Sequence, residues 1–362
     1  MAQDFNFKPI TPEIVSARTE GSGGPYCATE VGFDTLSTNP AALAFVDREW
    51  SFARLACKVS GPLFDIPSVF QADDMTTGIL DLVADNNGVY IGLNETGPIA
   101  IGKVDRNFGF GVFNRGICKV DVPSIAKATF IAGEEILLVG GYGLVLYEKG
   151  PHLISGGLQL KGFFQSFVRE DGTAVAVLET FTDFDTNDLP SILSTGFGVD
   201  VGAIYRFDGN LSFAFNCKDL YTPVFSTRYA NYGDFLGGDP DSDTIYTRID
   251  PNLSIGVAYS IPLPAHWTTI SGWNVMFDYR DALSSFRTIH RNPILNVATG
   301  TEIEFLDVVY FRLGVRDAYL STGLGLDLTA CKIDFAIYGT ELGLEPGNRP
   351  LLNIALSAAF EY

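Results

Sequence analysis

Leu352-Asn353-Ile354-Ala355-Leu356-Ser357-Ala358-Ala359-Phe360-Glu361-Tyr362 is the stretch that decides the fold. Successive side chains of a strand point to opposite faces. Leu352, Ile354, Leu356, Ala358, Phe360 and Tyr362 therefore make one apolar face, and Asn353, Ala355, Ser357, Ala359 and Glu361 a small or polar one. Its eleven residues match the length a tilted strand needs to cross the hydrocarbon core of a bilayer. Soluble sandwich strands alternate too, but they are usually shorter.

The pattern recurs from Trp50 onward. Ala53, Leu55, Cys57 and Val59 share a face, as do Val89, Ile91 and Leu93. Phe197, Val199, Val201, Ala203, Tyr205 and Phe207 alternate with Gly196, Gly198, Asp200, Gly202, Ile204 and Arg206. The hairpin signal Asp208-Gly209-Asn210 follows, and Leu211, Phe213, Phe215 and Cys217 resume the alternation. Leu324, Leu326 and Leu328 are even-numbered and Ile333, Phe335 and Ile337 odd, so a turn at 329–332 separates two strands. Mid-strand charges such as Asp200, Arg206 and Arg312 are costly against lipid and suit a barrel lumen. The reading is an all-β, transmembrane antiparallel β-barrel of about fourteen strands, within a range of about twelve to sixteen. Segments 61–87 (with an amphipathic helix over Asp73–Ala84), 183–194 and 228–248 read as outward loops.

Composition agrees. The chain has 362 residues, is 46% hydrophobic with 38 glycines and 28 phenylalanines, and carries only 19% charged residues. Mean hydropathy is +0.17, yet no stretch reads as a spanning helix; the most apolar run, 136–147, is broken by Gly140, Gly141 and Gly143. A net charge of −19 argues against nucleic acid as a partner. The five cysteines are widely spaced, without a C-x-x-C pair, and point to neither a disulfide framework nor zinc. Met1–Phe7 lacks a basic start and an apolar core, so the sequence reads as a mature form whose signal peptide has been removed.

Residues 1–48 hold no strand of membrane length and read as an amino-terminal hatch ahead of a barrel over 49–362. They contain Gly21-Ser22-Gly23-Gly24-Pro25, a short helix candidate at Asp34–Leu36, and Thr38-Asn39-Pro40-Ala41-Ala42-Leu43. With the glycine-rich Gly196–Ala203, the passages Arg312-Leu313-Gly314, Gly323–Leu326 and Phe335–Gly343, and the closing aromatic strand, the chain resembles the FadL-type family of outer-membrane transporters. That resemblance implies uptake of long-chain fatty acids or other hydrophobic small molecules, in a bacterial outer membrane, by a barrel set into lipid by the barrel-assembly machinery. It also implies a plugged lumen and a sideways exit into lipid through a kinked early strand. Such a route keeps an apolar ligand out of water.

Asn39, Pro40, Ala41 and Leu43 are the hatch candidates; Asn39 ties plug to wall, or simply caps the turn before Pro40. Gly109, Gly111 and Gly116 are the lateral-opening candidates, or else make room for the hatch. Phe5, Phe7, Phe108, Phe110 and Phe113 are the candidate ligand contacts, in an elongated pocket expected to be mainly apolar. By alternation Phe113 opposes Phe108 and Phe110, so only one set is interior. No cofactor, metal or catalytic residue is expected. Asp239-Pro240-Asp241-Ser242-Asp243 lacks the glycine of a calcium loop, Thr244 standing in its place, and reads as a solvated acidic loop. His152 near Ser155 and His290 near Ser284 and Ser285 lie in no catalytic motif. The alternative is a barrel scaffold that binds protein partners in secretion or at the cell surface.

Overall fold

The computed structural model describes residues 9–29, 32–62, 83, 88–177, 189–288 and 290–362. Among these, fifteen strands occur in chain order: β1 Glu49–Gly61, β2 Val89–Asp105, β3 Phe108–Ser124, β4 Lys127–Lys149, β5 His152–Gly172, β6 Ser191–Phe207, β7 Leu211–Tyr229, β8 Ile245–Ile249, β9 Asn252–Ser260, β10 Ile270–Tyr279, β11 Val297–Phe305, β12 Val309–Arg316, β13 Tyr319–Asp327, β14 Cys331–Glu341 and β15 Pro350–Glu361. Neighbours pair antiparallel around a closed ring of fourteen, sealed where β1 meets β15 and where β6 meets β7. β8 pairs with the outer part of β7, on the edge that β9 takes further along, so it extends the wall without adding a member to the ring. Closure removes the free edges that an open sheet would leave unpaired in lipid.

The alternation read from the sequence is the alternation observed. In β15, Leu356 and Phe360 are exposed on the outside while Asn353, Ala355, Ser357 and Glu361 are buried inside. In β6, Phe197 and Phe207 point outward and Asp200 and Ile204 inward. The Asp208-Gly209 turn has positive φ at both residues, 52° and 71°, the backbone a tight hairpin demands. Nitroxides at Val199 and Ile354 should therefore collide with membrane-soluble quenchers, while one at Asn353 should not. Equal access of aqueous quenchers to all three would refute the lipid-facing assignment.

Two loop assignments need correction. Residues 191–194 belong to β6, and the 228–248 segment contains the end of β7, a short helix at Tyr232–Gly237 and the start of β8. Both errors come from Ser, Asn and Asp, which signal turns but also face a polar lumen. The 73–84 helix candidate lies, apart from Val83, outside the described residues.

Strands β2–β7 run 17–23 residues, against 8–13 for the other ring members, so one side of the wall projects beyond the hydrocarbon band. Turns at 106–107, 150–151, 208–210, 306–308 and 328–330 and the 261–269 connection lie at one end; the longest connections, at 62–88, 173–190, 230–244 and 280–296, lie at the other, with short turns at 125–126 and 317–318. By the usual asymmetry of such barrels, the end with the long connections faces outward.

Candidate functional site

Residues 9–29 and 32–46 run inside the ring, and two glycine pavements let their backbone lie flat on the wall. On one side, a Cβ at Gly157 or Gly143 would meet Pro40, and one at Gly202 would meet Asn39 Oδ1. On the other, Gly300 and Gly314 leave the space taken by the Ser22 carbonyl, and Gly323 that taken by Gly21. No side chain larger than hydrogen is compatible with these approaches.

Asn39 is fully buried. Its Nδ2 donates to the Cys27 carbonyl at 2.8 Å and to the Phe215 carbonyl of β7 at 3.2 Å, and its Oδ1 accepts from Ala41 N at 3.0 Å. It is thus both the cap of the Pro40–Ala44 turn and a bond to the wall. Leu43 and Leu36 pack with Phe33, Phe113, Val104, Leu137, Val139 and Phe163 in an apolar cluster. Ala41 and Ala42 are buried beside Ile204 and Ala214.

Charges bind the segment elsewhere. Arg18 makes two hydrogen bonds to Glu302, at 2.7 and 3.0 Å; Arg312 also reaches Glu302, at 2.6 Å, and then Asp334. Arg54 of β1 bridges Asp34 of the segment and Glu361 of β15, the latter at 2.9 Å, so one guanidinium joins segment and seam. Burial alone would raise the Asp34 carboxyl, but Arg54 beside it holds it below the usual carboxylate range. Asp278 accepts from Tyr26 N and Cys27 N at 2.7 and 2.8 Å, and Arg316 pairs with Glu20.

A bulge in β7 builds the remaining polar centre. Between the pairs Val199–Tyr221 and Val201–Cys217, three β7 residues oppose one of β6. Asp219 takes a φ of 55° there. As a result Lys218 and Asp219, adjacent in sequence, both face the lumen, where strict alternation would send one to lipid. Lys161 joins Asp200 at 3.0 Å and Asp219 at 2.8 Å, while Lys218 Nζ donates to the Ser37 carbonyl at 2.7 Å. Cys217, just before the bulge and paired with Val201 and Leu253, keeps the alternation and is covered by its neighbours.

A second irregularity lies in β2. Thr96 pairs with Arg115 and Ala100 with Phe113, so Gly97-Pro98-Ile99 faces Asn114 alone. Pairing with β1 is interrupted over the same stretch. Ile99 is exposed on the outer face and its N–H is taken by Asn114 Oδ1 at 2.9 Å. On the inner side Thr96 is buried and accepts from Val15 N at 3.3 Å.

The candidates read from sequence are therefore divided. Phe113 is interior, 5.4 Å from Phe33 between ring centroids, whereas Phe108 and Phe110 face outward, where a lumenal ligand does not reach them. Phe5 and Phe7 lie outside the described residues. The kink expected in β3 is in β2 instead: Gly109, Gly111 and Gly116 are paired on both sides, and a Cβ at Gly109 or Gly111 would collide with Leu36. The expected apolar channel is not found among the described residues. The larger cavity, about 450 Å³ at the outer end, is lined mostly by Lys, Arg, Asp and Asn, and a smaller one of about 140 Å³ adjoins it. His152 hydrogen-bonds Tyr205 and stacks on it, away from the buried Ser155. Among the described residues no group of three His, Cys, Asp or Glu is arranged to hold a metal. Sequence reasoning missed Arg54, Lys218 and Asp219; the adjacent pair Lys218-Asp219, breaking the alternation, was the available signal.

No family model and no curated protein sequence matches the chain. Solved structures do. The monoaromatic hydrocarbon channel CymD aligns over 95% of this chain and 96% of its own, with TM-score 0.50 and 11% identity. The Ralstonia pickettii toluene transporter TbuX aligns over 96% and 98%, with TM-score 0.50 and 13% identity. A Pseudomonas aeruginosa FadL homologue aligns over 97% and 98%, with TM-score 0.49 and 13% identity. Fourteen strands in a closed antiparallel ring, with an amino-terminal segment bonded along the inner wall, give this chain the fold of CymD and TbuX.

Proposed function

We propose that this protein takes up hydrophobic compounds, long-chain fatty acids among them, across the bacterial outer membrane. Residues 1–48 act as a hatch in a barrel formed by 49–362, and the ligand leaves sideways into lipid. The observation that carries this reading is the break at Gly97–Ile99, with lipid-facing Ile99 on one side and the amino-terminal segment at Val15 on the other. An opening at that level lets an apolar ligand pass from the lumen to the membrane without crossing the aqueous periplasm.

Deleting Pro98 and Ile99 leaves one β2 residue opposite Asn114 and restores a regular ladder with β3. Uptake of a fluorescent long-chain fatty acid into cells should then fall by about tenfold or more, the loss of a required step worth at least about 1.4 kcal/mol. The variant should keep the heat-modifiable gel mobility of a folded barrel. Uptake equal to that of the intact protein would end the lateral-exit reading.

The polar lining of the described cavities favours a second reading, a barrel scaffold that binds protein partners. Absence of both ligand binding and uptake in the intact protein would select it.

A further inference from the structure

Residues 280–288 and 290–296 connect two neighbouring strands, β10 and β11, yet their contacts reach well beyond both. The base of the connection is stapled. Arg280 N donates to the Asn296 carbonyl at 2.8 Å and Asn296 Nδ2 to Ser284 Oγ at 2.9 Å, with Ser284 and Asn296 both buried. On one side Arg287 donates to the carbonyl of Pro251, between β8 and β9, at 3.2 Å. On the other, Arg291 donates to the Glu341 carbonyl at 2.8 Å, Asn292 N to the Leu344 carbonyl at 2.7 Å, and Asn292 Nδ2 to the Glu345 carboxylate at 2.6 Å. These partners belong to the end of β14 and the turn after it, three strands round the ring from β11. Asp281, Arg287, Arg291, Leu295 and Asn296 line the outer cavity, so the connection lies over the lumen.

The turn at 342–349 is built to hold its shape. The Glu341 carboxylate accepts from the backbone N–H groups of Gly343, Gly347 and Arg349, each at 2.7 Å, and from the Tyr319 hydroxyl at 2.9 Å. Hydrogen bonds to an ionised group are the strong ones, and here they fix the course of the turn. Its far side presents Arg349, whose Nη2 donates to Asp121 of β3 at 2.7 Å, past β15, β1 and β2. Asp121 shares its face of β3 with Arg115, which points into the lumen and bonds the Glu13 carbonyl. Contacts therefore run without a gap from Pro251, through Arg287, Asn292 and the turn, to Asp121.

We infer that this connection and the 342–349 turn form a strap across the outer mouth of the barrel, that Arg349 and Asp121 are its latch, and that bulky solutes enter the lumen only when the latch parts. The joints differ in strength. The turn is held by a carboxylate with four donors, whereas the latch is a single ion pair whose side chains are 23% and 37% exposed. Such a pair contributes little and is screened by salt, so the strap opens there, beside the tall wall, while its stapled base stays closed. The inference concerns access from outside and holds whatever the lumen carries.

The test uses the full chain in the outer membrane of whole cells. Thr11→Cys puts a thiol on the amino-terminal segment where it lines the outer cavity. Its modification is read as the increment over the chain without that substitution. An uncharged maleimide on a bulky polyethylene glycol should react slowly, and N-ethylmaleimide quickly. Arg349→Glu should speed the bulky reagent by about fivefold, the upper end for one exposed pair, and leave N-ethylmaleimide unchanged. Adding Asp121→Arg re-forms the pair with its charges exchanged and should return the bulky reagent to its slow rate. Raising salt from about 0.05 to about 0.5 M should speed the bulky reagent in the intact latch and not in Arg349→Glu.

A bulky reagent that reacts at Thr11→Cys as fast as at Ile294→Cys, on the exposed outer surface, would overturn the closed mouth. An unchanged rate in Arg349→Glu, or no recovery on adding Asp121→Arg, would overturn the latch. Either result would leave the uptake reading standing.

Discussion

Removing residues 1–48 is expected to turn an electrically silent protein into an open pore. All the pairings that close the ring lie within β1–β15, downstream of the deletion, so the barrel should still assemble and insert. What the deletion exposes is an inner wall with little of its own to fill the lumen. Gly143, Gly157 and Gly202 on one side, and Gly300, Gly314 and Gly323 on the other, carry no side chains, because the segment's backbone occupies their space. The partners it abandons, among them Glu302, Arg54 and Asp278, are charged and will hydrate. Planar-bilayer recordings should show stepwise conductance from the truncated protein under conditions where the intact protein is quiet. Equal silence would mean that the amino-terminal segment is not the seal.

The second large effect is on stability. Arg54→Ala should destabilise the folded barrel by about 3–5 kcal/mol, the usual cost of removing one partner from a buried pair. Here one guanidinium serves two carboxylates, Asp34 and Glu361, and both are buried. Its loss leaves Glu361 with Lys332 at 3.0 Å and Asp34 with only the Ser16 hydroxyl. Urea unfolding in detergent micelles, at neutral pH, should show the deficit as a lowered midpoint with an unchanged slope.

Acid should shrink it. The Asp34 carboxyl is held below its ordinary value in the folded state, so its contribution is complete above the unfolded carboxylate range, near pH 4, and fades as pH falls through the depressed folded value. The gap between the two proteins should narrow below about pH 4 for that reason. A variant as stable as the intact protein at pH 7 would show that Arg54 joins segment and seam without stabilising either.

The period-two alternation of 352–362 and of 196–217 determined, by itself, a barrel wall with one face to lipid and one to a polar lumen. A one-residue slip in either strand would send charges such as Asp200 or Glu361 into hydrocarbon, so the pattern leaves little freedom. The strand number was legible for the same reason, since only a strand of membrane length produces such a run. Asn39 was legible because its backbone needs are local: a cap before Pro40 requires that residue type wherever the chain lies.

Tertiary structure alone decided the rest. Alternation assigns Phe113 and Phe108 to opposite faces but cannot say which faces in; closure of the ring does. Glycine in a strand reads equally as a kink or as an approach surface, and only the path of the segment showed that Gly109 and Gly111 accommodate Leu36 while the break lies in β2. The outer cavity depends on residues from β5, β7, β8, β9, β12, the 280–296 connection and the amino-terminal segment. Those residues are tens to hundreds of positions apart in sequence. Their meeting is fixed by strand register and by the β7 bulge, which are properties of the closed sheet and leave no periodic mark on any one strand.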